Sequence, residues 1–200
     1  MIAMLEYINQ KKHEHIITIE DPMEFIFTPK NCLISQRELN IDTLSYAAAM
    51  RSVVREDPNV IFIGEIRDPE TAEAAMNLAE TGHLVFSTLH TRSAASTVHR
   101  LVSLFPSDIQ ESVKDRLAAS LLGVQSQFLV QTSDKKERIG LFELMLNTTA
   151  IKNDIRKNEG KQIGDIIETS RQHGMITHIE YAKRLLADEK IEESEIDWLL

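Results

Sequence analysis

The feature that most constrains the fold is the apolar run Val60 to Ile63, which ends directly on Gly64 and Glu65. A short unbroken run rich in β-branched residues predicts a strand that is buried on both faces, as in a parallel sheet. Open α/β sheets bind ligands in the crevice beyond the carboxyl ends of their strands, which makes Glu65 and Arg67 candidate site residues. Gly64 permits a sharp turn and the close approach of another group. The alternative is a core strand that happens to end on an exposed Glu-x-Arg pair.

Two further strands are predicted to end at the same edge. One is His15 to Ile19, followed by Glu20, and the other is His83 to Thr91, which contains His90. Strand, helix and strand within about thirty residues form a right-handed parallel unit. We therefore expect Glu20, Glu65 and His90 to line one crevice. For Glu20-Asp21-Pro22, a polar turn after a strand is the alternative.

The connecting helix has clear end signals. Asp68 can cap its start, Pro69 suits its first position, and Gly82 can close it.

A pair of arginines precedes the central strand. Leu44 to Val54 predicts a helix capped by Asp42 or Thr43, and Leu44 is expected on its inner face. Arg51 and Arg55 are four residues apart and would share one helical face. Their guanidinium groups match phosphate oxygens in geometry, which predicts phosphate contacts. Solvation, or pairing with neighbouring acids such as Glu56 and Asp57, is the alternative.

The second part of the chain has a different pattern. Residues 127–131 and 139–146 predict a pair of strands, and the segments after residue 147 predict helices at 150–157, 162–172, 177–188 and 193–199. We therefore predict an α/β domain over residues 1–147 and a helical subdomain over residues 148–200.

Composition excludes several classes of protein. A formal charge of −9 argues against general nucleic-acid binding, which requires a basic face. The single cysteine, Cys32, excludes an internal disulfide and a cysteine-cluster metal site. No apolar run has the length of a membrane span, and no signal-peptide pattern opens the chain. These observations predict a soluble cytoplasmic protein.

A phosphate-binding loop is missing from the sequence. Such a loop is Gly-rich and ends in Lys followed by Ser or Thr. The only Gly-Lys step is Gly160-Lys161, which lacks the first loop glycine and lies among predicted helices.

Four segments of the chain stand out as a set: Ile17 to Phe25, Arg51 to Pro58, Gly64 to Asp68, and Thr81 to Thr91. In this order they resemble the secretion-type ATPases of type IV pili and type II secretion. In that family the segments are the aspartate box, an arginine-bearing helix, an atypical Walker B motif and the histidine box. Each segment is a weak signal alone, but the set, which runs in this order from Ile17 to Thr91, is specific.

The resemblance implies a role for each matching residue. Glu20 would be the catalytic acid of the aspartate box, and His90 the histidine-box residue. Glu65 would be the Walker B glutamate near Mg²⁺ and the attacking water. The Walker B region would comprise Ile61, Phe62, Ile63, Gly64 and Glu65.

The resemblance also implies how nucleotide is held. Arg51, Arg55 and Arg67 would contact nucleotide phosphate, including contacts across a subunit interface. ATP and Mg²⁺ are the implied cofactors, with Mg²⁺ held through the nucleotide near Glu65 and Glu20 and no metal bound by the protein alone.

The implied fold is a RecA-like P-loop NTPase core, a mostly parallel sheet flanked by helices, with a C-terminal helical subdomain. Family members place the P-loop just before a helix that Met1 to Gln10 would continue. The core is therefore expected to be incomplete at its N-terminus, and the chain to match only the C-terminal half of such an ATPase. We predict that this chain alone hydrolyses ATP negligibly.

Within the family, Ala150 to Lys157 resembles the C-terminal signature of the retraction ATPases, from which it departs at Lys152, Asp154 and Lys157. Extension and secretion ATPases carry a tetra-cysteine metal loop, which one cysteine cannot form.

The resemblance implies a homo-hexameric motor for pilus retraction and twitching motility. Such a motor works in the cytoplasm at the inner face of the inner membrane, on a platform protein, without nucleic acid or membrane insertion.

Other hypotheses remain open at this point. The chain could belong to an extension or type II secretion ATPase, or be a non-catalytic piece that docks through its helical end. A third is a metal-dependent hydrolase that uses Glu20, Glu65 and His90.

Overall fold

The computed structural model describes residues 1–157 and 162–199, so the Gly160-Lys161 step lies outside the described residues. The chain forms two compact units, Met1–Leu89 and His90–Leu200. Their extents differ from the predicted domains 1–147 and 148–200, because the predicted strand pair packs with the C-terminal helices. The predicted division stays a prediction.

The first unit contains a four-stranded parallel sheet in the order β2-β1-β3-β4. Its strands are β1 (His15–Glu20), β2 (Leu33–Glu38), β3 (Val60–Ile63) and β4 (Leu84–Ser87). β3 is fully buried, as its apolar run predicts. β4 is shorter than the predicted 83–91 and only partly buried, because it is the outermost strand on its side of the sheet.

Three helices accompany this sheet: α1 (Ile2–Lys11), α2 (Tyr46–Val53) and α3 (Pro69–Glu80). The predicted start of α3 is confirmed, since the Asp68 side chain accepts a hydrogen bond from the Thr71 amide and Pro69 opens the helix. α1 packs on the sheet through Leu5, which joins Ile16 and Val60 in a buried cluster.

The predicted start of α2 is wrong. Ser45 caps the helix by accepting a hydrogen bond from the Ala48 amide, whereas the Asp42 carboxylate accepts from the Glu38 amide at 2.8 Å. Leu44 precedes the helix and is 90% exposed, so it does not face the core. The helix ends at Val53 and continues as a 3-10 turn over Val54–Glu56.

The second unit has five helices and a hairpin among its described residues. The helices are α4 (Ala94–Ser103), α5 (Gln110–Ser120), α6 (Thr149–Lys157), α7 (Gln162–Thr169) and α8 (His178–Ala187). Strands β5 (Gly123–Gln131) and β6 (Arg138–Leu146) pair antiparallel, as predicted. Residues from the hairpin, from α8 and from the segment beyond it share one apolar cluster: Val130, Leu141, Ala182, Leu185, Ile191 and Ile196.

Two predicted helices in the second unit are shorter than expected. The segment predicted as helix over 193–199 contains only a 3-10 turn, Glu193–Glu195. The helix predicted over 162–172 ends at Thr169 and is followed by the 3-10 turn Arg171–His173. Gly174 then adopts φ 85°, a conformation that favours glycine and ends the helical path.

Across residues 1–157 and 162–199, no helix is both long enough and apolar enough to cross a membrane.

Candidate functional site

The structure brings the ends of β1 and β3 together at the carboxyl edge of the sheet. Ile19 lies opposite Ile63, and the Gly64 amide donates to the Ile19 carbonyl at 2.8 Å. A Cβ built on Gly64 would lie 3.2 Å from the Glu20 Cα. Glu20 and Glu65 therefore leave neighbouring strands at the same edge, as the sequence predicts.

Glu20 is a buried carboxylate, with 5% of its surface exposed. Thr18, two residues earlier on the same sheet face, donates its hydroxyl to Glu20 Oε1 at 2.7 Å. Thr18 is itself fully buried. This hydrogen bond compensates part of the cost of removing the carboxylate from water.

Glu65 is held differently. Arg67 Nε donates to Glu65 Oε2 at 2.7 Å, and the exposed fractions of the two side chains are 64% for Arg67 and 18% for Glu65. The hydrogen bond and the charge of Glu65 raise the pKa of Arg67 above its ordinary value. The alternative of an exposed Glu-x-Arg pair thus describes Arg67 but not Glu65, which is mostly buried.

Two hydrogen bonds of Thr88 join the segment after β3 to the segment after β4. Its hydroxyl donates to the Gly64 carbonyl at 2.5 Å, and the Ile66 amide donates to the Thr88 carbonyl at 3.1 Å. The two bonds bracket Glu65, because they involve the residue before it and the residue after it.

Tyr46, at the start of α2, is a site residue that the sequence analysis missed. Its hydroxyl oxygen lies 3.4 Å from the position of a Cβ on Gly64. Burial raises the pKa of Tyr46, and the charge of Asp21 raises it further; Arg67 opposes these effects, whereas Glu65 and Glu20 add to them. The phenol is therefore uncharged at neutral pH. A tyrosine in an ordinary helix start gives no signal of such a role.

The predicted arginine pair does not share one helix. Arg51 lies on α2 and pairs with Glu70 at 3.9 Å, with both side chains largely exposed. Arg55 lies in the following 3-10 turn and is also exposed. The acid predicted as a bridging partner, Glu56, pairs instead with Arg37 at 2.7 Å. Because α2 ends between the two arginines, a shared face and a joint phosphate contact stay predictions.

His90 is the first residue of the second unit and is exposed. Its expected place beside Glu20 and Glu65 stays a prediction.

The second unit contains a buried polar cluster that the sequence analysis also missed: Ser126 on β5, Glu143 on β6 and His178 on α8. Their exposed fractions are 5%, 8% and 5% respectively. His178 Nδ1 lies 3.5 Å from Glu143 Oε2, and His178 Nε2 lies 3.4 Å from Ser126 Oγ. Ser126 and Glu143 lie opposite each other in the hairpin, but His178 is 52 positions from Ser126, so no local motif predicts the cluster.

Comparison with known proteins gives consistent matches. The family model described as type II/IV secretion system protein matches residues 1–196. A twitching motility protein of Neisseria gonorrhoeae is 48% identical over 177 residues, which cover 88% of this chain and 47% of that protein. The type IV pilus retraction ATPase PilT of Pseudomonas aeruginosa is 46% identical over 177 residues, covering 88% of this chain and 51% of that protein.

A solved structure of the pilus retraction motor PilT with bound ADP superposes with a TM-score of 0.79 at 43% identity. The match covers 91% of this chain and 55% of that one. The chain thus spans about half the length of the relatives it matches.

Proposed function

Because this chain belongs to the type II/IV secretion system protein family, we propose that it is part of an ATP-hydrolysing motor of type IV pilus retraction, which drives twitching motility. The names of its relatives from Neisseria and Pseudomonas support this assignment. The observation that carries it is the edge at which Glu20 and Glu65 leave adjacent strands, next to Gly64. Ligand crevices of α/β sheets lie at this edge.

In this proposal the two carboxylates have separate tasks. Glu65, with 18% of its side chain exposed, orients the attacking water and accepts its proton. Glu20 is buried and bonded to Thr18, so it acts as a fixed acidic group that positions the reacting groups. His90 acts as the third member of the site.

The arginines supply positive charge for phosphate. Arg51 and Arg55 are exposed, which suits contact with nucleotide, including nucleotide bound by another subunit. In the hydrogen bond to Glu65 described above, the donor is Arg67 Nε. The two terminal nitrogens of Arg67 take no part in that bond. An arriving phosphate would therefore find these nitrogens outside that bond, and it can also draw the guanidinium group away from Glu65.

ATP and Mg²⁺ are the cofactors of the proposal, and the donor chemistry of the edge fits them. Carboxylate oxygens suit Mg²⁺, which usually takes one or two carboxylates together with phosphates and water. In the part of the chain that the structure describes, no three His, Cys, Asp or Glu side chains form a metal site by themselves. In this proposal the ion would be held through the nucleotide, near Glu65 and Glu20. When bound, the metal offsets negative charge on the phosphates.

The proposed assembly is a homo-hexamer of the longer protein. It works in the cytoplasm at the inner face of the bacterial inner membrane, where it acts on the platform protein of the pilus. Closure of its subunits around nucleotide moves domains and drives removal of pilin.

The test compares ATP turnover and hexamer formation by this chain and by the same chain joined to an upstream segment that carries a P-loop. We expect turnover and hexamers from the joined form only. In that form Glu65→Gln should lower kcat by at least about 100-fold, since a general base contributes roughly 10²–10⁴-fold.

Glu111→Gln is the matched control, because Glu111 is exposed on α5 and makes the same change of charge. If the joined form does not bind ATP, or if Glu65→Gln turns over like the Glu111 control, the edge is not a nucleotide site and the motor assignment fails.

A further inference from the structure

The buried cluster of Ser126, Glu143 and His178 is not used by the proposed chemistry, yet all three residues are more than nine-tenths buried. Each polar atom of Glu143 is engaged. Oε2 lies 3.5 Å from His178 Nδ1, while Oε1 lies 3.4 Å from Ser126 Oγ and accepts a hydrogen bond from the Ala94 amide at 2.8 Å. Buried polar networks of this kind fix geometry when all members are satisfied.

The bond to Ala94 ties the cluster to the start of α4. Ala94 is the first residue of that helix and is fully buried. The first amides of a helix have no partner within the helix, so Glu143 supplies the acceptor that the Ala94 amide lacks. An acidic group is also favoured at this end by the helix dipole.

The first turn of α4 in turn holds the segment before it. Ser93 and Ser96 form a reciprocal capping box, with the Ser96 amide bonded to Ser93 Oγ at 3.1 Å and the Ser93 amide to Ser96 Oγ at 2.9 Å. The hydroxyls of Thr91 and Thr97 lie 2.6 Å apart. Thr91 is the residue after His90, so an unbroken series of contacts runs from His178 through Glu143 and α4 to the neighbour of His90.

Electrostatics support a charged Glu143 in this place. Burial raises its pKa, but the hydrogen bonds from His178, Ala94 and Ser126 and the charge of His178 together lower the pKa below its ordinary value. The carboxylate is thus an ionised acceptor at neutral pH.

We propose that Glu143 is a positioning residue for His90: it fixes the first turn of α4, and His178 and Ser126 fix its carboxylate, so that α8 helps to set the place of the histidine. The role of His90 in ATP hydrolysis rests on the proposed function, whereas the positioning itself does not.

The first experiment uses the whole 200-residue chain and NMR. Glu143→Ala should speed hydrogen exchange of the Ala94 amide by at least about tenfold, the factor that corresponds to about 1.4 kcal/mol. It should also shift the ring resonances of His90. Glu143→Gln keeps an oxygen acceptor and should restore both signals to near their original values. The control Glu137→Ala, an exposed acid of the same hairpin, should change neither.

If Glu143→Ala does not fold, Glu143→Asp is used as the test instead. This variant keeps the charge, but its side chain is one methylene shorter, so the carboxylate lies further from the Ala94 amide. We expect faster Ala94 exchange and a shifted His90 ring in this variant too. An unchanged His90 ring in a folded Glu143→Ala or Glu143→Asp protein overturns the proposal, whatever happens at Ala94.

The second experiment measures kcat and KM for ATP in the P-loop-joined form. Glu143→Ala should lower kcat by about tenfold or more with little change in KM, since small misplacements of a reacting group are costly. In the double variant with His90→Ala the two effects should not add, because both act through His90. Additive effects overturn the proposal. If no form hydrolyses ATP, the proposed function fails, and the NMR result still decides the positioning.

Discussion

Gly64 is the position at which the packing of the candidate site can be tested most directly. A Cβ at this position would meet the Glu20 Cα at 3.2 Å, the Ile19 carbonyl oxygen at 3.3 Å and the Tyr46 hydroxyl at 3.4 Å. The two shortest contacts are to backbone of β1, which is hydrogen-bonded on both sides to β2 and β3 and cannot easily move. Gly64→Ala should therefore destabilise the first unit by about 1–3 kcal/mol, the usual cost of overpacking.

The assay is native-state hydrogen exchange, read at amides of β1 and β3. A loss of about 1–3 kcal/mol corresponds to exchange that is faster by roughly 5- to 150-fold. The chain also offers a matched control, Gly164→Ala, because Gly164 lies in α7 and a Cβ there has nothing within 4 Å. That substitution should stabilise the second unit by about 0.4–1 kcal/mol, since alanine favours helix and restricts the unfolded chain.

We therefore expect the two alanine substitutions to change stability in opposite directions. If Gly64→Ala leaves exchange in β1 and β3 unchanged, the end of β3 is not closely packed against β1. The need for glycine before Glu65 would then have no steric basis.

Three further predictions concern single interactions. Thr88→Val removes the donor to the Gly64 carbonyl and should cost about 0.5–1.5 kcal/mol in urea unfolding, while Thr88→Ser should recover most of it. The lowered pKa of Glu143 stabilises the fold above the unfolded pKa, near 4.5, and this stabilisation is lost as pH falls through the folded pKa. The stability difference between the original chain and Glu143→Gln should therefore shrink on acidification below about pH 4.5, and a difference constant from pH 7 to 3 contradicts it. Hydrogen bonds from Gln10, Lys30 and Asn9 lower the pKa of Glu6 to about 2, so Gln10→Ala should raise it in an NMR titration of the carboxyl carbon.

The sequence predicts the sheet well because its signals are local. An apolar run that ends on Gly64 specifies β3, and Asp68-Pro69 specifies where α3 begins. Local signals fail at α2, because Asp42, Thr43 and Ser45 can each cap a helix and lie within four positions. Ser45 takes the cap because the Asp42 side chain is already bound to the Glu38 amide.

Contacts between distant residues could not be predicted in this way. Glu143 lies 49 positions from Ala94, and His178 lies 52 positions from Ser126, yet each pair is in contact. No spacing rule links such residues, because the contact exists only after the hairpin, α4 and α8 have packed. The predicted cluster of Glu20, Glu65 and His90 follows only from where the predicted strands end. It therefore contains neither Tyr46 nor Thr88.

The two acids of the candidate site also show why a motif cannot assign a role by itself. Sequence patterns give Glu20 and Glu65 the same description, a carboxylate at the end of a buried strand. In the structure Glu20 is buried beside the Thr18 hydroxyl, whereas Glu65 is bonded to the exposed guanidinium of Arg67. Their environments give the two carboxylates different hydrogen-bond partners and different access to water. Thr18 is fully buried, whereas the Arg67 side chain is 64% exposed, so in the proposed function Glu65 rather than Glu20 is the acid whose partner an arriving phosphate can reach.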